Sequence, residues 1–173
     1  MNINVKNNIP NIEVLFNKIL LLSRNKIFYT RFGLIDTFQN RIHLIFIHIS
    51  FIFIISKQKE KKEFYKKYFQ NVFDLTFKKI ELNMREIGHS DTSISKNMKF
   101  LIKTFYNVLF ECENYAKMSI LEKNNFFHNY LKKHNIKSTH NKEIIDYFDK
   151  YKTFCFNLSH DSVLTGEINF NYI

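Results

Sequence analysis

Apolar residues in the first helix-sized stretch fall at Ile12, Leu15, Phe16, Ile19 and Leu22, the three-and-four spacing of a helix with one buried face. Pro10 suits a first helical turn, so the pattern predicts a helix over about 11–23. A less regular connector covers 24–35. Asp36-Thr37 then supplies an N-cap for a helix reaching about residue 56. Most of it is the run IHLIFIHISFIFII, Ile42 to Ile55, which contains no charged residue, Gly or Pro. Further on, Tyr65, Phe69, Phe73, Phe77, Ile80, Met84 and Ile87 step by four or three, and Gly88 is placed to end that helix. HSDTSIS, 89–95, offers several N-caps for the next, which runs to about residue 115 and buries Met98, Leu101, Ile102, Phe105, Tyr106, Leu109 and Cys112.

Ser119 and Glu122 have the spacing of a capping box and open a helix to about residue 133. Another starts near Thr139 or Asn141 with Ile144, Phe148, Tyr151, Cys155 and Leu158 on one face. In the tail, Val163, Thr165, Glu167 and Asn169 interleave with Leu164, Ile168 and Phe170, which predicts a short extended segment. Three Gly and one Pro in 173 residues leave little punctuation for a barrel or sandwich and suit long helices joined by polar turns. The expected fold is all-α: one domain over 1–173, a bundle of about six helices with a short extended C-terminal segment. At 45% apolar and 24% charged residues the whole chain is expected to fold.

Three readings compete for the apolar run. A membrane span needs about 20 predominantly apolar residues, whereas this run stops at fourteen between Arg41 and Lys57 and includes two His and a Ser. A zinc pair on a helix sits at i and i+4; His43 and His48 are five apart, about 140° around the axis. A helix apolar on all sides fits best as the centre of a bundle, with both His as hydrogen-bonded core or boundary residues. Elsewhere there is no Gly-rich phosphate loop, no GxSxG turn and no HExxH, and Cys112 and Cys155 are unaccompanied by close Cys/His spacing. The expectation is therefore a non-enzyme with no metal, cofactor or small-molecule substrate.

Charge changes the picture in one respect. A net +10, with basic clusters at 57–67 and at Lys96, Lys99 and Lys103, suits nucleic acid or an anionic membrane. The same Lys content, with abundant Asn, Ile, Phe and Tyr, is what an AT-rich genome encodes, so composition competes with function as its source. The N-terminus resembles neither a secretory signal nor a mitochondrial presequence, and the expected location is a bacterial cytoplasm.

Two polar blocks narrow this further. The segment 24–48, RNKIFYTRFGLIDTFQNRIHLIFIH, carries Tyr29, Gly33, Asp36, Thr37, Arg41 and His48; the block MREIGHSDTSISKNMKFLIKTFYNVL carries Arg85, Glu86, Gly88, Asp91, Lys96, Phe105 and Tyr106, after Phe73-Asp74. In kind, order and separation these resemble the ubiquinol-cytochrome c chaperone family, assembly factors for respiratory complex III. The motif-bearing part covers about 24–112 and returns faintly in LTGEINF. Three positions depart from the family pattern: Gln39-Asn40, Ile54-Ile55 and Asn107-Val108.

The resemblance implies a non-enzymatic chaperone that binds newly made cytochrome b. It would work peripherally at the inner face of the cytoplasmic membrane, with the ribosome, an anionic membrane surface and a second assembly factor as further partners. The partner-binding residues it suggests are Tyr29, Asp36, Thr37, Arg41, His48, Arg85, Asp91, Lys96, Phe105 and Tyr106. Residue chemistry gives several of these a competing structural role: Asp36 as a helix cap, and Arg41 as an ion-pair partner of Glu86 or a binder of a client carboxylate. Two other classes stay open, a small basic helical RNA-binding protein and a membrane-embedded accessory protein anchored by 42–55.

Overall fold

Scarce breakers and helical periodicity give helices nearly throughout. A computed structural model describes residues 11–57, 62–134 and 141–172. Its helices are α1 (Ile12–Ser23), α2 (Ile27–Thr30), α3 (Phe38–Lys57), α4 (Lys62–Glu86), α5 (Asp91–Asn114), a 3-10 turn (Tyr115–Lys117), α6 (Ile120–Tyr130), α7 (Lys142–Asn157) and α8 (His160–Thr165). The described residues hold no strand; Leu34 and Lys133 form an isolated antiparallel bridge. The architecture is an all-α bundle, as the pattern predicts. Pro10, Thr139, His140 and residues 58–61 of the basic run lie outside the described residues.

The apolar run sits at the centre. α3 is long and apolar enough to cross a membrane by composition, over Phe38–Ile55. Its sides are instead covered by α1, α4, α5 and α7, and Leu44, Phe46, Ile47 and His48 have no exposed surface. On one flank Phe46 meets Phe77 and Phe105 at ring-centroid distances of 5.5 and 5.2 Å, and Phe53 meets Phe69 at 4.1 Å. Those pairings set α4 antiparallel to α3. On the other flank Phe51 contacts Tyr115 and Phe148, and His48 is ringed by Phe28, Tyr147, Phe148 and Tyr151.

Several details differ from the pattern's forecast, each for a local reason. Thr37, not Asp36, caps α3: its hydroxyl accepts from the Asn40 amide at 3.2 Å. Ile87 lies beyond the last turn of α4 and is 60% exposed. On α5 the buried stripe runs Ile94, Leu101, Thr104, Phe105, Val108, Cys112, which turns Tyr106 outward. α6 ends at Tyr130 rather than near 133, because Leu131 turns extended and the following chain pairs back, Ile35 N–H to Lys132 O at 3.0 Å and His134 N–H to Gly33 O at 3.1 Å. The tail starts with a helix, not an extended segment. Ser159 caps α8 by accepting from the Ser162 amide at 3.0 Å, and Gly166, at φ +73°, closes it before the chain extends. Val163 to Thr165 are helical rather than extended because so short an apolar run fits either period.

Candidate partner-binding surface

The first polar cluster is built on the N-terminal turn of α3. With Thr37 occupying the cap, the Asp36 carboxylate is left to accept two hydrogen bonds from Arg41, Nε to Oδ1 at 2.7 Å and Nη2 to Oδ2 at 2.8 Å. The guanidinium holds the Asp36 carboxyl below the usual carboxylate range. Arg41 therefore pairs with Asp36 and not with Glu86. Tyr29 completes the cluster: half-buried, it donates its hydroxyl to Ser23 O at 2.9 Å, and burial, then the charge of Asp36, push its phenol up. Behind it Asn40 is buried and fully used, Nδ2 donating to Ile35 O at 2.7 Å and Lys132 O at 2.8 Å while Oδ1 accepts from Lys132 N–H at 2.9 Å. Asn40 thus ties the cluster to the 131–134 segment. Its one sequence signal was a polar side chain in the first turn of an otherwise apolar helix.

The second cluster is the turn from α4 to α5. Gly88, at φ +90°, lets the chain reverse: its N–H donates to Arg85 O at 3.0 Å and the His89 N–H to Met84 O at 3.0 Å, while the Ser90 hydroxyl caps α5. Arg85 bridges the turn, donating to Glu81 from α4 and to Asp91 from α5. Arg85 and Asp91, predicted together, are thus bonded to each other. The antiparallel packing of α3 on α4 carries both Arg–Asp pairs toward the same end of the bundle, where Phe38, Leu82 and Ile87 leave apolar surface in solvent. That end offers a partner exchangeable charges beside apolar side chains.

Three further predicted residues lie on α5 beyond Asp91 and separate by burial. Lys96 and Tyr106 face outward, whereas Phe105 is a core ring, 2% exposed. His48 is likewise internal. Its Nδ1–H donates to Leu44 O at 2.6 Å, which leaves Nε2 to accept from the Tyr147 hydroxyl at 2.9 Å. Burial pulls its pKa down to about 4, so the ring is neutral. His48 and Phe105, which the resemblance names for partner binding, are core residues that hold the helices behind the surface. His43 is also a core histidine, donating from Nδ1 to Tyr130 O, with burial lowering its pKa.

Sequence reasoning missed the apolar part of the surface. Phe100 and Phe110 on α5, and Ile120 and Leu121 at the start of α6, are 58%, 68%, 74% and 69% exposed. The available signal was their position off the buried stripe. Where α5 meets α6, Glu111, Asn114, Lys117, Met118 and Glu122 line an open cleft. Among the described residues no three His, Cys, Asp or Glu gather as a metal site would require, and both cysteines are buried.

A family model described as ubiquinol-cytochrome C chaperone matches residues 30–170, which takes in Asp36 and Arg41 of the first cluster, the whole of the second, and α3 to α8. Among solved structures the chain is similar to the crystal structure of the Cbp3 homolog from Brucella abortus, with a TM-score of 0.75 over 93% of this chain and 88% of that one. Sequence identity between the two is 19%, so that likeness is one of fold. No curated protein matches the chain.

Proposed function

This chain belongs to the ubiquinol-cytochrome C chaperone family, and on that premise we propose that it holds newly made cytochrome b until ubiquinol-cytochrome c reductase, respiratory complex III, is assembled. The observation that carries the reading is the family match across 30–170. The surface is consistent with a holder: a client whose transmembrane helices await partners needs apolar side chains beside polar anchors and no reaction chemistry. Exposed apolar residues at the α3/α4 end, next to the Arg41–Asp36 and Arg85–Asp91 pairs, supply both. A client carboxylate approaching Arg41 would compete with Asp36 for the same two N–H groups, so binding there exchanges one ion pair for another. The place of action in this reading is the inner face of the cytoplasmic membrane, within reach of the ribosome and of a second assembly factor.

The test is affinity isolation of the tagged protein from its native cells after mild crosslinking, with mass spectrometry of what co-purifies. Enrichment of cytochrome b above other membrane proteins is the expected result. Recovery of nucleic acid alone, or of membrane proteins in proportion to their abundance, would overturn the reading.

A further inference from the structure

The outward face of α5 carries a combination that neither the core nor the two polar clusters use. Lys96, Lys99, Phe100, Lys103, Tyr106 and Phe110 are all exposed. At 100° per residue they fall within an arc of about 120°, and the row from Lys96 to Phe110 is about 21 Å long. Five basic side chains on other faces are engaged in ion pairs: Arg31 with Glu143, Arg41 with Asp36, Arg85 with Glu81 and Asp91, Lys123 with Asp149, Lys150 with Asp146. The three lysines of α5 make no ion pair among the described residues. Carboxylates near the far end of the row are already occupied, Glu111 by the Tyr130 hydroxyl and Glu122 by the Ser119 cap. The face thus carries three lysines outside any ion pair among the described residues, together with three rings that are 58%, 55% and 68% exposed.

We propose that this face docks the protein on a bilayer containing anionic phospholipid, the lysines meeting headgroup phosphates and the rings of Phe100 and Phe110 entering the interface. Charge selects an anionic partner; the apolar side chains select which one. A phenyl ring that is mostly in water recovers its transfer free energy only where an apolar medium is offered. Tyr106, with an apolar body and a hydroxyl tip, suits the level of the headgroups. Beyond the turn that follows α5, Ile120 and Leu121 add aliphatic exposure. Aliphatic side chains do not stack on bases, and the row is the convex side of a helix with no groove to track a nucleic-acid strand. It also contains no arginine, the residue suited to bidentate contacts with phosphate in nucleic acid. This inference deepens the assembly reading by naming a membrane surface, but it needs no client.

The experiment uses the purified full chain without cytochrome b, so its failure is separate from failure of the chaperone reading. Cosedimentation is compared on vesicles of phosphatidylcholine alone and of phosphatidylcholine mixed with phosphatidylglycerol. Binding to the mixed vesicles, lost at high salt, is expected. A lysine near an anionic surface contributes about fivefold in partitioning, so the triple change Lys96→Gln, Lys99→Gln, Lys103→Gln should weaken binding on the order of a hundredfold while thermal melting is unchanged. Because the chain has no Trp, Phe110→Trp reports insertion directly, as a blue shift of emission on the mixed vesicles. Equal binding to both vesicle types, an unaffected triple variant, or a Trp whose emission does not move would each overturn the proposal. So would binding to homopolymer RNA in place of vesicles.

Discussion

His48 shows what a motif residue can do without touching a partner. Folded, it must stay neutral, because Nε2 accepts from Tyr147 and no water reaches the ring. The unfolded chain regains the ordinary histidine pKa near 6.5 and takes up a proton that the folded chain, with a pKa of about 4, refuses. His48 therefore contributes its full stability above about pH 6.5, and that contribution drains away as the pH falls toward 4, by about 3 kcal/mol in all. His43 is shifted in the same direction and adds to the slope. Urea midpoints measured from pH 7 down to pH 4 should fall, and His48→Gln should flatten the curve; parallel curves for the two proteins would show that His48 does not carry the effect. Arg41 is the contrasting case. Its pair with Asp36 is two-fifths to one-half exposed, the kind of surface ion pair whose loss is hard to detect in stability. Arg41→Ala is thus expected to melt like the parent and yet to lower membrane cytochrome b, read from haem b spectra. Normal spectra would remove Arg41 from the client site. Both residues were visible in the sequence as motif positions. Only burial tells them apart, since a motif marks a constraint without saying whether it is packing or contact.

At the level of elements, boundaries followed local chemistry that the sequence displays. The Ser119/Glu122 box forms with both of its hydrogen bonds, and Gly88 turns the chain between α4 and α5. What stayed illegible came from contacts distant in sequence. α6 stops early because residues 33–35 claim the chain after Leu131, and α8 is needed to carry Val163 and Leu164 into the core against α1 and α4. Gly166 makes that dependence testable. A Cβ there would stand 2.5 Å from the Leu15 backbone nitrogen of α1, whereas one at Gly88 would meet nothing within 4 Å. Both positions have positive φ, so alanine costs about 1 kcal/mol of backbone strain at each. Gly166→Ala must in addition push α8 off α1 and is expected to destabilise by about 3 kcal/mol or more, against about 1 for Gly88→Ala. Melting temperatures that fall equally in the two variants would mean that α8 is not clamped on α1.

For the molecule as a whole, the question is whether α3 belongs to the bundle or to a bilayer, since its composition satisfies both. Sequence length alone leaned toward the bundle; the structure supplies the energetic reason. To span a membrane, α3 would have to leave α1, α4, α5 and α7 and expose the rings that now pack on it, among them Phe69, Phe77, Phe105, Phe148 and Tyr151. Each such side chain is worth roughly 1.5–3 kcal/mol when buried, so these five together, roughly 7–15 kcal/mol, match the whole stability of a typical domain, about 5–15 kcal/mol. The departing helix would also carry His43, His48 and Ser50 into hydrocarbon, stripped of partners such as Tyr147. Any attachment to a membrane must therefore come from the outside of the folded bundle, where screening weakens it. Membranes from native cells, washed first in high salt and then in alkaline carbonate, should release the protein without detergent. Release already at high salt would match the lysines of α5, whereas release by carbonate alone would assign the attachment to its exposed apolar residues. Retention through both washes would mean that α3 has left the bundle, and that the helix at the centre of this fold has a second state.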